Sequence, residues 1–222
     1  MQNKEDNSTM YQPQRPVFRV VTSASEAEEH LRVIRQAMER STRHSTLSGL
    51  SGVLIGLLCL GGCALTSSVT QWPPVPQEAP LFVGVWAGVL LIALLIDYLL
   101  TKRRAAQVGK TAFSPLGRHL ARAAAPGLLT ATALSLFYLV HPDLIGPYIY
   151  GVWMLCYAVS LLSVGMFSLK EVSVLGWAFL AAGTITLLLP VGWWIGPRGV
   201  MALTFGGLHI AYGIRMGYKY GW

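Results

Sequence analysis

The stretch "IRQAMERSTRHSTLSGLSGVLIGLLCLGGC", residues 34–63, decides the fold. Its first half carries charged side chains, and its second half is uncharged and almost purely apolar. About 20 consecutive apolar residues are what a helix needs to cross a bilayer. The junction near residue 46 is therefore predicted to be a membrane boundary, where a polar segment ends and a first crossing begins.

The rest of the chain repeats this apolar pattern. Only 12% of the 222 residues are charged and 53% are hydrophobic, whereas a soluble domain has about 25% charged residues. This composition predicts an all-α, polytopic integral membrane protein with six transmembrane helices. The uncharged windows are Leu47 to Thr66, Leu81 to Leu100, His119 to Val140, Leu144 to Phe167, Val172 to Pro190 and Gly199 to Tyr218.

The basic residues predict an orientation. Lys and Arg near helix ends favour the cytoplasmic side, and six crossings with the N-terminus inside put 16 of the 17 basic residues there. The predicted topology is N-in, C-in. The net charge of +7 is then explained by membrane insertion, so anionic lipid headgroups are the expected partners and no nucleic acid is required.

Three regions are predicted along the chain. Residues 1–22 form a polar tail, 23–45 a cytosolic amphipathic helix, and 46–220 the six-helix membrane domain. On the amphipathic helix, Leu31, Ile34 and Met38 recur at helical spacing and form one apolar face. That face has three possible contacts: the headgroup region, the ends of the bundle, or a soluble protein partner.

Asp97 is the one acidic residue inside a predicted crossing. A carboxylate in hydrocarbon is costly, so it is expected to have a partner or a proton. Because Asp97 lies about one turn from the cytoplasmic end of its helix, Arg104, Arg118 or Arg122 could reach it. Its predicted role is a structural ion pair or, alternatively, proton or ion coupling.

A second polar group lies in the last crossing. His209 is followed at helical spacing by Tyr212 and Arg215, which together predict a polar stripe descending toward the cytoplasm. An intramembrane histidine is a functional candidate, and His209 is a weak candidate for binding a cofactor. The alternatives are a hydrogen bond between helices and a proton relay.

Small residues predict close helix packing in the first two crossings. Ser48, Gly52 and Gly56 are four residues apart, and Gly84 and Gly88 repeat the spacing. Small side chains let helix backbones approach each other. We expect contact between these two helices or between two copies of the chain.

Chemistry-bearing motifs point away from an enzyme. The sequence contains no HExxH motif, phosphate-binding loop or paired carboxylates. Cys59, Cys63 and Cys156 all fall in predicted crossings without further ligands at metal-binding spacing. We therefore expect no catalytic residues, no bound metal and no cofactor.

Several motifs resemble those of a known family. The words "MERS" and "LSGLSG" near the first crossing, "LGWAFLAAG" at 175–183 and "FGGLHIAYGIRMGYKY" at 205–220 resemble a family of uncharacterised bacterial six-crossing membrane proteins. The resemblance implies the bacterial inner membrane and accessory proteins encoded beside soluble winged-helix regulators. It implies no activity, cofactor or catalytic residue.

These observations give one leading expectation and two alternatives. The leading expectation is a non-enzymatic membrane accessory or scaffold protein that engages a protein partner or forms a homo-oligomer. The first alternative is a small-solute or ion transporter that uses Asp97 and His209. The second is a redox- or pigment-binding membrane subunit.

Overall fold

The computed structural model describes residues 28–33, 48–72, 74–107, 115–188 and 195–221. The chain divides into two units, Met1–Ser41 and Thr42–Trp222. Within the described ranges all regular structure is helical and no strand occurs. This confirms the all-α class predicted from the sequence.

The first unit is described only at residues 28–33, which are helical. Arg32 Nη2 lies 3.3 Å from Glu29 Oε1 one turn away, and the side chain of Leu31 is exposed. The rest of the predicted helix at 23–45, including Ile34 and Met38, and the predicted tail at 1–22 lie outside the described residues.

The second unit is a bundle of long helices. Apolar windows set the helix interiors, and prolines open several of them, because a first-turn residue needs no N–H donor. The helices are α1 (Gly49–Val69), α2 (Ala79–Gln107), α3 (Pro115–Val140), α4 (Ile149–Gly165), α5 (Lys170–Leu188), α6 (Gly196–Met201) and α7 (His209–Tyr220). A π-helical segment, Ala202–Leu208, joins α6 to α7.

Five helical segments are long and apolar enough to cross a membrane. They are Gly49–Val69, Pro76–Gln107, Gly117–Val140, Pro142–Gly165 and Lys170–Leu188. The sixth predicted window falls on α6, the π segment and α7, which have 6, 7 and 12 residues. None of these three pieces is long enough by itself, so the number of spans supported directly is five.

Neighbouring helices run antiparallel. Near the end of α3, Ser135 accepts a hydrogen bond from Trp153 near the start of α4. Gly165 at the end of α4 lies against Ser173 near the start of α5. We call the two ends of the bundle the Gly49 end and the Val69 end, after the first and last residues of α1. The core combines aromatic and aliphatic side chains and lies between α1, α2, α3, α4, α5 and α6.

The helices α1 and α7 pack in close contact. A Cβ on Gly52 would lie 2.8 Å from the Cα of Gly213, and one on Gly213 would lie 2.6 Å from the carbonyl oxygen of Gly49. Real Cβ atoms do not approach backbone atoms so closely, so only glycine fits at these positions. We call these facing glycines, Gly49, Gly52 and Gly56 on one side with Gly206, Gly213 and Gly217 on the other, the glycine seam.

The seam pairs the first helix with the last. Gly84 and Gly88 on α2, which were expected to join the same packing, have open space where a Cβ would project. The α1–α2 contact lies instead at Gly62, beside Val89 and Trp86. Ser48 is buried immediately before α1.

Candidate functional site

Asp97 lies beside α1 near the Gly49 end of the bundle. The side chain of Ser51 is a neighbour of its carboxyl, and the Ser51 hydroxyl donates to the carbonyl oxygen of Ser48 at 2.8 Å. A carboxylate inside a membrane is costly, so a neutral carboxyl that carries a proton is the form expected here.

The arginines expected near Asp97 have other surroundings. Arg104 donates from Nη1 to the carbonyl oxygen of Gly221 at 2.8 Å and from Nη2 to that of Tyr220. Arg118 and Arg122 are exposed on α3. The ion pairs within the described residues are Arg32–Glu29 and Lys219–Glu171, so Asp97 meets a serine where an arginine was expected.

His209 is held inside the bundle at the start of α7. Its Nε2 lies 2.9 Å from the Tyr157 hydroxyl on α4, and its ring is surrounded by the rings of Tyr157, Phe179 and Phe205 at centroid distances of 5.5, 5.4 and 5.8 Å. Only 4% of the residue is exposed. The arrangement fixes the imidazole and leaves one nitrogen, Nδ1, buried without a hydrogen-bond partner.

The π segment explains the position of this ring. It ends at Leu208, directly before His209, and its Phe205 ring lies 5.8 Å from the imidazole centroid. A π-helical turn inserts one extra residue into a helix, and such turns occur frequently at functional sites. The glycine pair Gly206–Gly207 was the signal in the sequence, since paired glycines weaken regular helix.

The structure divides the predicted polar stripe. Tyr212 is half-buried and is a close neighbour of Asp97, whereas Arg215 is exposed. Asp97 is also a neighbour of Tyr157. The structure thus brings residues from α2, α4 and α7 together into one group, which we call the polar cluster: Asp97, Tyr157, His209 and Tyr212.

Two cysteines extend this cluster toward the Val69 end. Cys59 is a neighbour of Tyr157 and of Cys63, and Cys63 is in turn a neighbour of Tyr150 and Arg198. Both thiols are buried in α1. Each of these side chains thus lies within electrostatic range of the next, from Asp97 to Arg198, and we call this set the polar line.

The polar line ends in six aromatic side chains that pack on one another at the Val69 end. Trp72 stacks on Tyr150 with ring centroids 4.7 Å apart, and Phe82 stacks on Trp153 at 5.7 Å. We call the group the aromatic cluster: Trp72, Phe82, Trp86, Tyr138, Tyr150 and Trp153. Nothing in the sequence indicates that Trp72 and Trp86 meet residues of α3 and α4.

The C-terminal end of α7 is held at the Gly49 end of the bundle by polar contacts with α5. Lys219 Nζ lies 2.6 Å from Glu171 Oε1, and the Tyr220 hydroxyl is 3.4 Å from both carboxylate oxygens of Glu171. The hydrogen bond to Glu171 raises the pKa of the Lys219 ammonium. These contacts hold the end of the chain against α5.

Groups that could hold a metal ion are absent from the described residues, where no three His, Cys, Asp or Glu side chains come together.

Comparison with known proteins gives no match: no family model matches the sequence, and no curated protein and no solved structure matches it significantly. The functional inference therefore depends on the geometry of this chain, and the resemblance to a six-crossing family stays an expectation.

Proposed function

We propose that the chain is a non-enzymatic membrane carrier for a small solute or ion, with the polar cluster as its coupling site. The observation that supports this most is the convergence of Asp97, Tyr157 and His209 from three helices inside an apolar bundle. Ionisable groups are costly in a membrane, and they mark ion and proton pathways. A scaffold would need none of them.

The proposed topology has six crossings with both termini in the cytoplasm. The backbone is helical without a break from Gly196 to Tyr220, which at 1.5 Å per residue gives about 37 Å, more than a bilayer core of about 30 Å. The positive-inside distribution of Lys and Arg supports the orientation. The family resemblance supports a bacterial inner membrane.

In this proposal each polar residue has its own task. Asp97, which lies near the cytoplasmic end and is partly accessible, takes up and releases the proton or cation. Tyr157 and His209 share a hydrogen bond, through which a proton can pass between the hydroxyl and the imidazole. Tyr212 stands beside Asp97 and excludes lipid from the carboxyl.

Proton flux in proteoliposomes tests the proposal. A potassium diffusion potential drives protons inward, and a trapped pH-sensitive dye reports their entry. We expect Asp97→Asn to lower the rate at least tenfold and His209→Gln to lower it several-fold. Asp143→Asn is the matched control, because it makes the same change at an exposed carboxylate. Equal rates in all three variants and the wild type would remove the carrier proposal.

A second candidate function has its own supporting observation. Of the 29 residues of α2, only Ala79, Phe82, Trp86 and Ala105 are buried, and Gly84 and Gly88 face open space. A helix face with small residues suits a close contact with another membrane helix. This supports an accessory protein that engages a protein partner or a second copy. Purification in mild detergent that yielded only the monomer would exclude it.

A further inference from the structure

The aromatic cluster contains an unusual number of buried polar atoms that have no hydrogen-bond partner. Seven buried side-chain nitrogen or oxygen atoms within the described residues lack a partner, and five of them lie in this cluster or on the arginine beside it. These are Trp72 Nε1, Trp86 Nε1, Tyr138 Oη, Tyr150 Oη and Arg198 Nε. Buried polar groups are nearly always satisfied, so this concentration needs an explanation.

The burial of these groups is deep. Tyr138 and Tyr150 have no exposed surface, and Trp86 is 7% exposed. The three N–H groups can only donate, and the two hydroxyls can donate or accept. The three N–H groups therefore need acceptor atoms, which the oxygen atoms of a bound molecule would supply.

Arg198 adds a positive charge to the same place. Its Nη2 donates to the carbonyl oxygens of Thr70 and Gln71 at 2.6 and 2.8 Å, and its guanidinium lies 5.8 Å from the ring centroid of Trp72. In the described part of the chain no carboxylate forms an ion pair with it. The carboxylate of Glu78, which lies just before α2, accepts a hydrogen bond from the backbone N–H of Gln71 at 2.9 Å instead.

We propose that this end of the bundle binds a small aromatic carboxylate. The carboxylate oxygens would accept from the unpartnered indole, phenol and guanidinium groups, and a flat apolar body would lie against rings that already stack on one another. An anion fits better than a cation, because Arg198 already occupies the face of Trp72. The site stands independently of the carrier function; if both hold, it is where a solute is taken up.

Equilibrium dialysis of radiolabelled benzoate against the purified full-length protein tests the proposal. We expect saturable binding that benzamide weakly displaces and that benzylamine does not displace. Tyr150→Phe removes one hydroxyl with little change of shape, and Trp86→Phe removes the indole N–H together with one ring; each should weaken binding about 3- to 10-fold. Trp177→Phe is the matched control for the tryptophan change: Trp177 is exposed and lies outside the aromatic cluster, so affinity should not change.

Three outcomes would overturn the proposal. The first is no saturable benzoate binding to the wild type. The second is binding that Tyr150→Phe and Trp86→Phe leave intact, which would place benzoate elsewhere. The third is a Tyr150→Phe protein that is more heat-stable than wild type in the absence and presence of benzoate, which would mean that the hydroxyl has no partner at all. Benzoate binding without proton flux would keep the site and remove only the carrier.

Discussion

The glycine seam and the aromatic cluster lie in one bundle and solve opposite packing problems. In the seam, the backbones of α1 and α7 meet at Gly49, Gly52, Gly213 and Gly217. In the aromatic cluster, large rings keep the helices apart, and five polar atoms in or beside it lack partners. The seam needs no further molecule to fill it, whereas the aromatic cluster has polar atoms without partners in the chain.

This difference suggests a structural role for the glycine seam and a binding role for the aromatic cluster. Regions with every group satisfied and no room for a side chain have one arrangement. Regions with buried unpaired donors carry a free-energy cost that a bound molecule can remove. We therefore expect substitutions in the seam to act on folding, and conservative substitutions in the aromatic cluster to act on binding.

The largest effect is expected in the seam. Gly213→Leu inserts a side chain where even a Cβ would lie 2.6 Å from the Gly49 carbonyl oxygen, and backbone atoms cannot move aside as a side-chain end can. We expect loss of most of the folded protein, measured as the monodisperse fraction in size-exclusion chromatography. Gly84→Leu is the control and should fold normally, since Gly84 faces open space. Equal yields would show that α1 and α7 are not in contact.

Arg198 should come next, because its hydrogen bonds connect α6 to the end of α1 beside the aromatic cluster. Its guanidinium donates to the carbonyl oxygens of Thr70 and Gln71 at the end of α1, and a shorter neutral side chain would lose these hydrogen bonds. Hydrogen bonds to charged groups contribute about 1.5–3 kcal/mol, and about 1 kcal/mol shifts the melting temperature of a chain of this length by about 2–4 °C. We expect Arg198→Gln to lower the melting temperature by about 3–10 °C. Arg122→Gln, at an exposed position, should leave it unchanged; a similar loss in both would contradict this role.

A smaller effect on stability is expected when a hydroxyl is removed, and its size should depend on whether that hydroxyl has a hydrogen-bond partner. Ser160 Oγ donates to the Ala124 carbonyl oxygen at 2.9 Å, so Ser160→Ala should cost about 1 kcal/mol. Tyr138 Oη has no partner, so Tyr138→Phe should cost nothing in ligand-free protein. Thermal denaturation of both variants makes the comparison. A greater loss from Tyr138→Phe than from Ser160→Ala would show that the hydroxyl has a partner within the chain.

The smallest effect is expected where α7 ends. The folded protein raises the pKa of Lys219 above its unfolded value, so the stabilisation is present at neutral pH and is lost as pH rises through that raised pKa. Glu171→Gln should therefore lower the melting temperature slightly at pH 7, with the difference shrinking in strongly alkaline buffer. A difference that grows with pH would contradict the contact with Lys219.

The sequence predicts the helices of this fold better than their contacts. Apolar windows of bilayer length located five long helices, because length and hydropathy are local properties of the chain. The window Leu81 to Leu100 falls within α2, which extends to Gln107. The partner of Gly52 could not be predicted, since a stripe of small residues does not say which helix faces it. The partner is Gly213 on α7, far away in the chain.

The candidate site was predicted in its parts and not in its assembly. Asp97 and His209 stood out because ionisable residues are rare in crossings. Tyr157 did not stand out as their neighbour, since that contact requires α4 to pack between α2 and α7. The π segment before His209 was also missed, because an extra residue in a helical turn depends on tertiary packing and leaves no periodic signal.

Infrared difference spectroscopy tests the protonated state of Asp97 most directly. The spectrum of wild type minus Asp97→Asn is recorded in H₂O and in D₂O at neutral pH. If Asp97 carries a proton and is reached by water from the Gly49 end, we predict a carboxylic-acid C=O band that is absent in the variant and shifts in D₂O. A difference spectrum that contains only carboxylate bands, or a carboxylic-acid band insensitive to D₂O, would contradict a proton-carrying group at the start of the polar line.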